Sequence, residues 1–270
     1  LQNTYTYGLA CPQVVYVHQP LPFQRAKHFS LLRRDERSLA IYQHVIGAVI
    51  KQSIRRADHV IVQTQWMRDA ILDQVRVASN RVTRVLPDLE DLSPYKRKGP
   101  LDTAAFFYPT SSTLYKNNEC VYAACRLLGE RGVHDFTVTM TLDAPAADPH
   151  VAAIGRVPRE QVMQIVSRST LIFPSLIETY GLPLAEARAV GAIVLAADLP
   201  YAREVLQGYA NAYFFDPASP SQLADMMSQV ISAGIVKSPA NDDASTASSG
   251  TPAWAQVIDV LELLAPRRRT

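Results

Sequence analysis

The chain has 270 residues, of which 48% are hydrophobic. It contains 27 lysine and arginine residues and 25 aspartate and glutamate residues. This composition excludes a disordered, collagen-like or disulfide-scaffold protein, and the length favours two domains, since one domain usually holds about 100 to 200 residues. No apolar run reaches the roughly 18 to 20 residues that cross a bilayer. The three cysteines have no CxxC spacing, which predicts a reducing compartment and ordinary buried thiols.

The net charge of +2 is unevenly distributed along the chain. Residues 1–100 are basic and residues 101–270 are acidic. A basic cluster in the first part suits a surface that faces anionic lipid or a phosphorylated acceptor, and it equally suits a solvated helix face. The cluster comprises Arg25, Lys27, Arg33, Arg34, Arg37, Lys51, Arg55 and Arg56. Because no zinc, RRM or KH signature accompanies it, nucleic acid is not a predicted partner.

Strands and helices alternate in the first part of the chain. The patterns predict a strand at 14–17, a helix at 38–56, a strand at 59–64, a helix at 65–75 and a strand at 81–86. The apolar residues of the first helix fall on one side: Leu39, Tyr42, Val45, Ile46, Val49 and Ile50. Such alternation is typical of an α/β fold with a parallel sheet.

The alternation resumes after the linker rich in proline and lysine at 93–100. We predict strands at 104–108, 136–142, 171–173 and 193–196, and helices at 117–129, 158–167, 183–190 and 220–231. A polar stretch then predicts a mobile loop, and a last amphipathic helix carries Trp254, Val257, Ile258, Leu261 and Leu264 at helical spacing. The predicted organisation is a first domain at 1–94, a second domain at 95–237, a flexible loop at 238–252, and a helix with a basic tail at 253–270.

The segment from Phe173 to Gly191 is the most informative for function. Pro183 suits the first turn of a helix, so the amides of residues 180–182 lie near a helix N-terminus, where free N–H groups and the helix dipole favour a phosphate. Glu178 and Glu186 flank this site. Carboxylates repel phosphate but accept hydrogen bonds from hydroxyl groups, so a nucleotide-sugar fits. The alternative is that Glu178 caps the helix and Glu186 matches the helix dipole.

The same segment resembles the E-x7-E motif of glycosyltransferase family 4, whose members are retaining enzymes with the GT-B fold of two Rossmann-like lobes. The resemblance covers about residues 14–265. Further segments that share it are Val17–Pro20, Leu114–Asn118, Ile154–Val157 with the helix that follows, Asp198–Val205, Tyr213–Pro217, and Trp254 with its helix.

The resemblance implies roles for the matching positions. Glu178 would contact hydroxyls of the transferred sugar, Lys116 would neutralise the departing nucleoside diphosphate, and His18 would reach the donor sugar. The alternative for His18 is a satisfied buried histidine at a strand end. In the donor site, the amides of residues 180–182 would bind the diphosphate, and Glu186 would bind the ribose hydroxyls. The glycine turn at 155–157 would lie beside the base. The implied donor-binding residues are Gly155, Arg156, Val157, Thr179, Tyr180, Gly181, Leu182 and Glu186.

Two features depart from the family pattern. The family commonly has an arginine about five positions before the lysine, whereas residues 109–113 offer only hydroxyl groups, which would weaken one phosphate contact. The family's first lobe also opens with a glycine-rich loop and several strand–helix units that do not precede Leu1. We therefore expect a first lobe truncated at its N-terminus, with an uncovered sheet edge that leads to self-association or requires a partner chain.

Other enzyme signatures are missing from the sequence, including GxGxxG, GxxxxGK[ST], GxSxG and HExxH. No metal and no cofactor is predicted, because the six histidines show no ligand spacing. The predicted function is a retaining, mannosyltransferase-like hexosyltransferase that moves a sugar from a nucleotide-diphosphate sugar to a saccharide or lipid-linked acceptor. Its predicted setting is polysaccharide or lipopolysaccharide assembly, in the cytoplasm and peripherally at the inner membrane face. The alternatives are a non-catalytic nucleotide-sugar-binding subunit with a partner chain, and a GT-B epimerase or hydrolase acting on the sugar nucleotide.

Overall fold

The computed structural model of the protein describes residues 2–96, 101–143, 148–235 and 252–264. These residues form two compact units. The first unit takes residues 2–88, 177–180 and 252–264, and the second takes the remaining described residues. Most of the predicted loop at 238–252 and the predicted basic tail lie outside the described residues. Within the described residues, no helix is long and apolar enough to span a bilayer.

The first unit contains a three-stranded parallel sheet with the order β1-β2-β3. Its strands are β1 (Val14–Tyr16), β2 (His59–Val62) and β3 (Val82–Arg84). Its helices are α1 (Arg37–Ile41), a π-helical turn (Tyr42–Ile46), α2 (Gly47–Arg56), α3 (Gln65–Val75) and α9 (Ala253–Leu264). Side chains alternate between the two faces of a strand, so Val15 and Val60 pack with α2 and α3, whereas Tyr16 and Ile61 pack with α9.

The continuous helix at 37–56 does not bury the side that its hydropathy indicates. Val45 and Val49 are 57% and 51% exposed, although Ile50 is fully buried. The buried positions are Ala40, Gln43, Gly47, Ile50, Ser53 and Ile54. A Cβ at Gly47 would lie 2.9 Å from Pro22 Cβ, so only glycine allows this approach. Gln43 is buried because its side chain bonds the Phe29 amide and the Lys27 carbonyl, both at 2.9 Å.

The last helix is present as predicted, but its predicted apolar face is wrong in part. Val257, Val260 and Leu264 pack on the sheet, whereas Trp254 is 75% exposed and Ile258 and Leu261 are about half exposed. The cysteine prediction also needs one correction. Cys120 and Cys125 are buried, but Cys11 is exposed.

The second unit contains a six-stranded parallel sheet with the order β6-β5-β4-β7-β8-β9. Its strands are β4 (Ala105–Tyr108), β5 (Thr137–Met140), β6 (Val151–Ala153), β7 (Thr170–Phe173), β8 (Val194–Ala197) and β9 (Ala212–Phe215). Its helices are α4 (Asn118–Glu130), α5 (Arg159–Val166), α6 (Leu182–Ala189), α7 (Pro200–Val205) and α8 (Pro220–Ile231). The strand order is that of a doubly wound nucleotide-binding sheet, and it reverses between β4 and β7.

The prediction of an α/β fold with parallel sheets is confirmed, since every strand pair in the described residues is parallel. Two short strands and one short α-helix had not been predicted. Strand β6 has only three residues, two of them alanine, and alanine favours strands weakly. Helix α7 has six residues, which is too short for a helical period to show. Strand β9 carries two consecutive phenylalanines after its tyrosine and lacks a period of two.

Candidate functional site

The switch point of the larger sheet positions two loops side by side. In a doubly wound sheet, ligands bind outside the carboxyl ends of the strands where the strand order reverses. Here β4 and β7 are hydrogen-bonded neighbours, and each is followed by a segment that the sequence singled out. The loop at 109–117 follows β4 and contains Lys116, while the segment with the two glutamates follows β7.

A network of hydrogen bonds joins these two loops. The Leu176 amide donates to the Tyr115 carbonyl at 2.7 Å, and the Asn117 side chain donates to the Pro174 carbonyl at 3.3 Å and to the Pro217 carbonyl at 2.9 Å. Asn117 has a left-handed backbone with φ of 58°, which asparagine tolerates better than most residues. The network fixes the backbone beside Lys116. Asn117 had no predicted role of its own, and the fold alone reveals this one.

Lys116 lies at the end of a short 3-10 turn, Leu114–Lys116. Its carbonyl accepts a hydrogen bond of 2.5 Å from the Tyr108 hydroxyl group at the end of β4. Its Nζ atom lies 5.9 Å from the centre of the Phe173 ring at the end of β7. The ammonium group therefore lies near the carboxyl ends of both central strands, where the family resemblance expects a phosphate-binding lysine.

The start of α6 has the geometry of an anion site. Gly181 is the N-cap residue with φ of 85° and ψ of 59°, and Pro183 occupies the first turn. The Gly181 and Leu182 amides donate to no protein acceptor in the part of the chain that the structure describes. A Cβ at Gly181 would lie 3.3 Å from a Leu184 methyl group. Glycine therefore provides both the backbone conformation and the space that this helix start requires.

Glu186 is buried in α6 and paired with Arg159, a residue for which the sequence predicts no role. It is 5% exposed, and one carboxylate oxygen lies 2.5 Å from Nη1 of Arg159, the first residue of α5. Arg159 also contacts Glu90 at 2.9 Å. Glu186 and then Glu90 raise the pKa of the Arg159 guanidinium. An arginine in the first turn opposes the helix dipole, and this mismatch was the available sign that Arg159 has a carboxylate partner.

A cavity of about 630 Å³ lies within the second unit. Its polar lining comes from the loop after β4, the first turns of α4, the end of β5 and the turn before α5. The lining residues include Thr110, Ser111, Ser112, Asn118, Glu119, Tyr122, Thr141, Asp143, Arg156 and Val157. Arg156 and Val157 were predicted donor-binding residues. Thr110, Ser111 and Ser112 belong to the segment 109–113, which has hydroxyl groups where the family commonly has an arginine. Tyr122, Thr141 and Asp143 had not been singled out.

A turn with a left-handed glycine lies beside the cavity. Gly155 has φ of 67°, and its amide donates to the Leu142 carbonyl at 2.9 Å. A Cβ there would lie 3.3 Å from the Asp143 carboxylate. The turn brings Arg156 to the cavity and leads, through Pro158, to Arg159.

The first unit brings together His18 and the segment that carries Glu178. The Thr179 hydroxyl group donates to the His18 carbonyl at 2.7 Å, and the Thr179 carbonyl accepts from Thr64 and Trp66, each at 3.0 Å. The His18 ring stacks on Tyr16 with centres 4.1 Å apart. Burial lowers the pKa of His18, so the neutral imidazole is favoured. Glu178, Thr179 and Tyr180 are each half-buried.

In the described ranges, no group of three or more histidine, cysteine, aspartate or glutamate residues could hold a metal ion. The candidate site of the second unit offers the amides of Gly181 and Leu182, the ammonium group of Lys116, the buried carboxylate of Glu186 and a polar cavity. These groups can bind a diphosphate, a hydroxylated ring and a planar base.

Residues 142–244 match the family model described as glycosyl transferases group 1. No curated protein matches the chain.

Several solved structures share the fold. HepE of Anabaena in complex with UDP-glucose superposes with a TM-score of 0.68 at 15% identity, over 94% of this chain and 72% of that one. A mutant of S. aureus TarM in complex with fondaparinux, alpha-GlcNAc-glycerol and UDP superposes with a TM-score of 0.66 at 15% identity, over 97% of this chain and 52% of that one. The pneumococcal O-GlcNAc transferase GtfA in complex with UDP and GlcNAc superposes with a TM-score of 0.63 at 15% identity, over 94% of this chain and 53% of that one.

These structures define the fold as that of the GT-B glycosyltransferases. The chain spans about half the length of TarM and GtfA.

Proposed function

We propose that the chain belongs to a retaining glycosyltransferase of family 4, which transfers a sugar from a nucleotide-diphosphate sugar to a saccharide or lipid-linked acceptor. One observation carries the proposal: the left-handed Gly181 at the start of α6, the Lys116 loop and the buried Glu186 all belong to the switch-point side of one doubly wound sheet. The family-model match over 142–244 and the nucleotide-bound neighbours support it.

The proposed roles follow from the chemistry of each group. The Gly181 and Leu182 amides, with Tyr180 beside them, bind the diphosphate at the helix N-terminus. Lys116 stabilises the charge that grows on the leaving diphosphate, which accelerates transfer because this charge is largest in the transition state. The second oxygen of Glu186 accepts hydrogen bonds from ribose hydroxyls, while Arg159 occupies the first. The base enters the cavity beside Arg156 and Val157.

We further propose that Glu178 and His18 act on the transferred sugar. Glu178 accepts hydrogen bonds from sugar hydroxyl groups. His18 has a lowered pKa because of burial, so at neutral pH its ring carries one donor and one acceptor nitrogen. The proposed sugar is a hexose such as mannose, and the proposed setting is polysaccharide or lipopolysaccharide assembly at the cytoplasmic face of an anionic membrane.

The first test measures thermal unfolding of the chain with UDP, GDP, ADP and dTDP. A ligand at about 100 times its dissociation constant stabilises the native state by about 2.7 kcal/mol, which raises the melting temperature by roughly 5 to 11 °C at this size. We expect one nucleotide to stabilise the wild type and the control variant Glu160→Ala, but not Glu186→Ala. If no nucleotide stabilises the well-folded wild type, the donor-site proposal is wrong.

A second assay separates the proposed transferase from its alternatives. A transferase releases the nucleotide diphosphate faster when acceptor is present, and Lys116→Ala should lower this rate by roughly 100- to 1,000-fold, the loss typical for one transition-state donor. Release without acceptor indicates a hydrolase, and a changed sugar without transfer indicates an epimerase. Nucleotide binding with no turnover indicates a binding subunit. NMR of the product anomer tests retention.

A further inference from the structure

The helix at 37–56 presents an apolar surface outward. Ile41, Val45 and Val49 are 41%, 57% and 51% exposed, and their spacing of four residues keeps them near one side of the helix. The loop before the helix adds Leu31 and Leu32, the latter 90% exposed. The Arg37 side chain donates to the Leu31 carbonyl at 3.2 Å, which joins this loop to the start of the helix. We call these five apolar residues the outer stripe.

The charge around the outer stripe is mainly positive, because the exposed carboxylate of Asp35 in the adjoining loop is paired with Arg33 at 3.0 Å. The helix contains no aspartate or glutamate from 37 to 56. Arg37 precedes the stripe on the helix, and Arg55 and Arg56 follow it; Arg34 lies in the loop. These four arginines are exposed, and none lies within ion-pair distance of a carboxylate in the part of the chain that the structure describes.

We propose that the outer stripe and its four arginines dock the first unit onto an anionic lipid surface. An interfacial helix places its apolar side chains at the boundary of headgroups and acyl chains, while flanking cations bind lipid phosphates. This surface would hold the first unit at the membrane where the proposed function takes place, so this inference rests in part on the proposed function.

Charge complementarity favours lipid over the other occupants. Two copies of the chain that met through this surface would bring eight arginines together, and like charges in contact repel. The exposed carboxylate of Asp35 in the same loop is already paired with Arg33. Nucleic acid would supply phosphates, but the stripe contains no aromatic side chain on which a base could stack. An anionic bilayer supplies both the apolar layer and the negative charge.

The energetics predict measurable changes in binding. Each arginine near an anionic surface contributes about fivefold to the partition coefficient, so Arg55→Gln with Arg56→Gln should lower vesicle binding by about 30-fold. Val45→Gln with Val49→Gln removes two half-exposed apolar side chains and should lower it by about tenfold. Salt should weaken the binding of the wild type, because it screens surface charges.

The test is co-sedimentation of the full chain with vesicles of phosphatidylcholine alone or mixed with phosphatidylglycerol, without nucleotide or acceptor. The control for apolar surface is Leu263→Gln, which alters an 82% exposed residue of α9. The control for charge is Arg126→Gln with Arg168→Gln, two exposed arginines of the second unit. Circular dichroism verifies that each variant is folded.

We expect the wild type and both controls to bind the anionic vesicles, and both stripe variants to bind them weakly. The proposal is overturned if the wild type does not prefer anionic vesicles, or if the controls lose as much binding as the stripe variants. It is also overturned if sedimentation velocity shows a dimer that Val45→Gln with Val49→Gln dissociates. Since vesicle binding needs no donor, its failure is distinguishable from failure of the donor site in the nucleotide assay.

Discussion

Replacing Arg159 by methionine tests whether the Arg159–Glu186 pair organises the candidate donor site. The substitution keeps an apolar stem but removes the cation 2.5 Å from the Glu186 carboxylate. Glu186 is 5% exposed, so water compensates the lost partner only in part. A hydrogen bond to a charged group contributes about 1.5 to 3 kcal/mol, and breaking a fully buried pair costs about 3 to 5 kcal/mol.

The Arg159 side chain is 47% exposed, which places this pair at the lower of these ranges. We therefore expect Arg159→Met to lower the free energy of unfolding by about 2 kcal/mol. The matched control is Glu90→Gln, which removes the other carboxylate of Arg159. Because the Glu90 side chain is 71% exposed, its loss should cost at most about 1 kcal/mol.

Urea unfolding is the assay, with two probes that report different units. The two tryptophans, Trp66 and Trp254, both lie in the first unit, so their fluorescence follows that unit, whereas far-UV circular dichroism follows helices in both. The urea midpoint of the Arg159→Met variant should decrease more when unfolding is followed by circular dichroism than when it is followed by fluorescence. The double variant Arg159→Met with Glu186→Gln should lose less stability than the sum of the single variants.

An organising role for the Arg159–Glu186 pair is refuted if Arg159→Met costs no more stability than Glu90→Gln. It is also refuted if the stability losses of the two substitutions in the double variant are additive. In either case Arg159 would be a surface residue with no influence on Glu186. Isothermal titration with the nucleotide from the thermal assay adds a second readout, since Arg159→Met should weaken binding while Arg159→Lys retains part of it.

Three further predictions concern conformation, pH and thiol reactivity. Gly181→Ala should cost more than about 1 kcal/mol and weaken nucleotide binding, because alanine disfavours φ of 85°; unchanged urea midpoints and affinity would contradict this. Burial and then the charge of Arg81 lower the pKa of His59. As the pH is lowered below about 6.5, the unfolded chain therefore binds the proton before the folded chain does, and the folded state loses stability. His59→Gln should flatten this pH dependence in unfolding experiments at pH 5 to 7. Burial raises the pKa of Cys120 and Cys125 to about 12, so a thiol reagent should modify Cys11 rapidly and the other two only on unfolding, as mass spectrometry would show.

The candidate site divides into residues that sequence could find and residues that it could not. Gly181 and Pro183 identify a helix start through local backbone preferences, and α6 begins at Leu182. Arg159 precedes Glu186 by 27 residues, so only the tertiary structure, which brings these two side chains into contact, could identify it as the partner. Asn117 was likewise hidden, since its two acceptors follow β7 and β9.

The sequence by itself determined where most helices and strands lie, because hydropathy periods and the glycine and proline signals act over a few residues. Helices α3 and α8 have the predicted bounds. The tertiary structure decided which faces of the helix at 37–56 and of α9 are buried. Burial depends on fit as well as on hydropathy. Gly47 allows close contact with Pro22, and the Gln43 side chain bonds the buried Phe29 amide and the partly buried Lys27 carbonyl. These residues therefore turn inward, while Val45 and Val49 face outward.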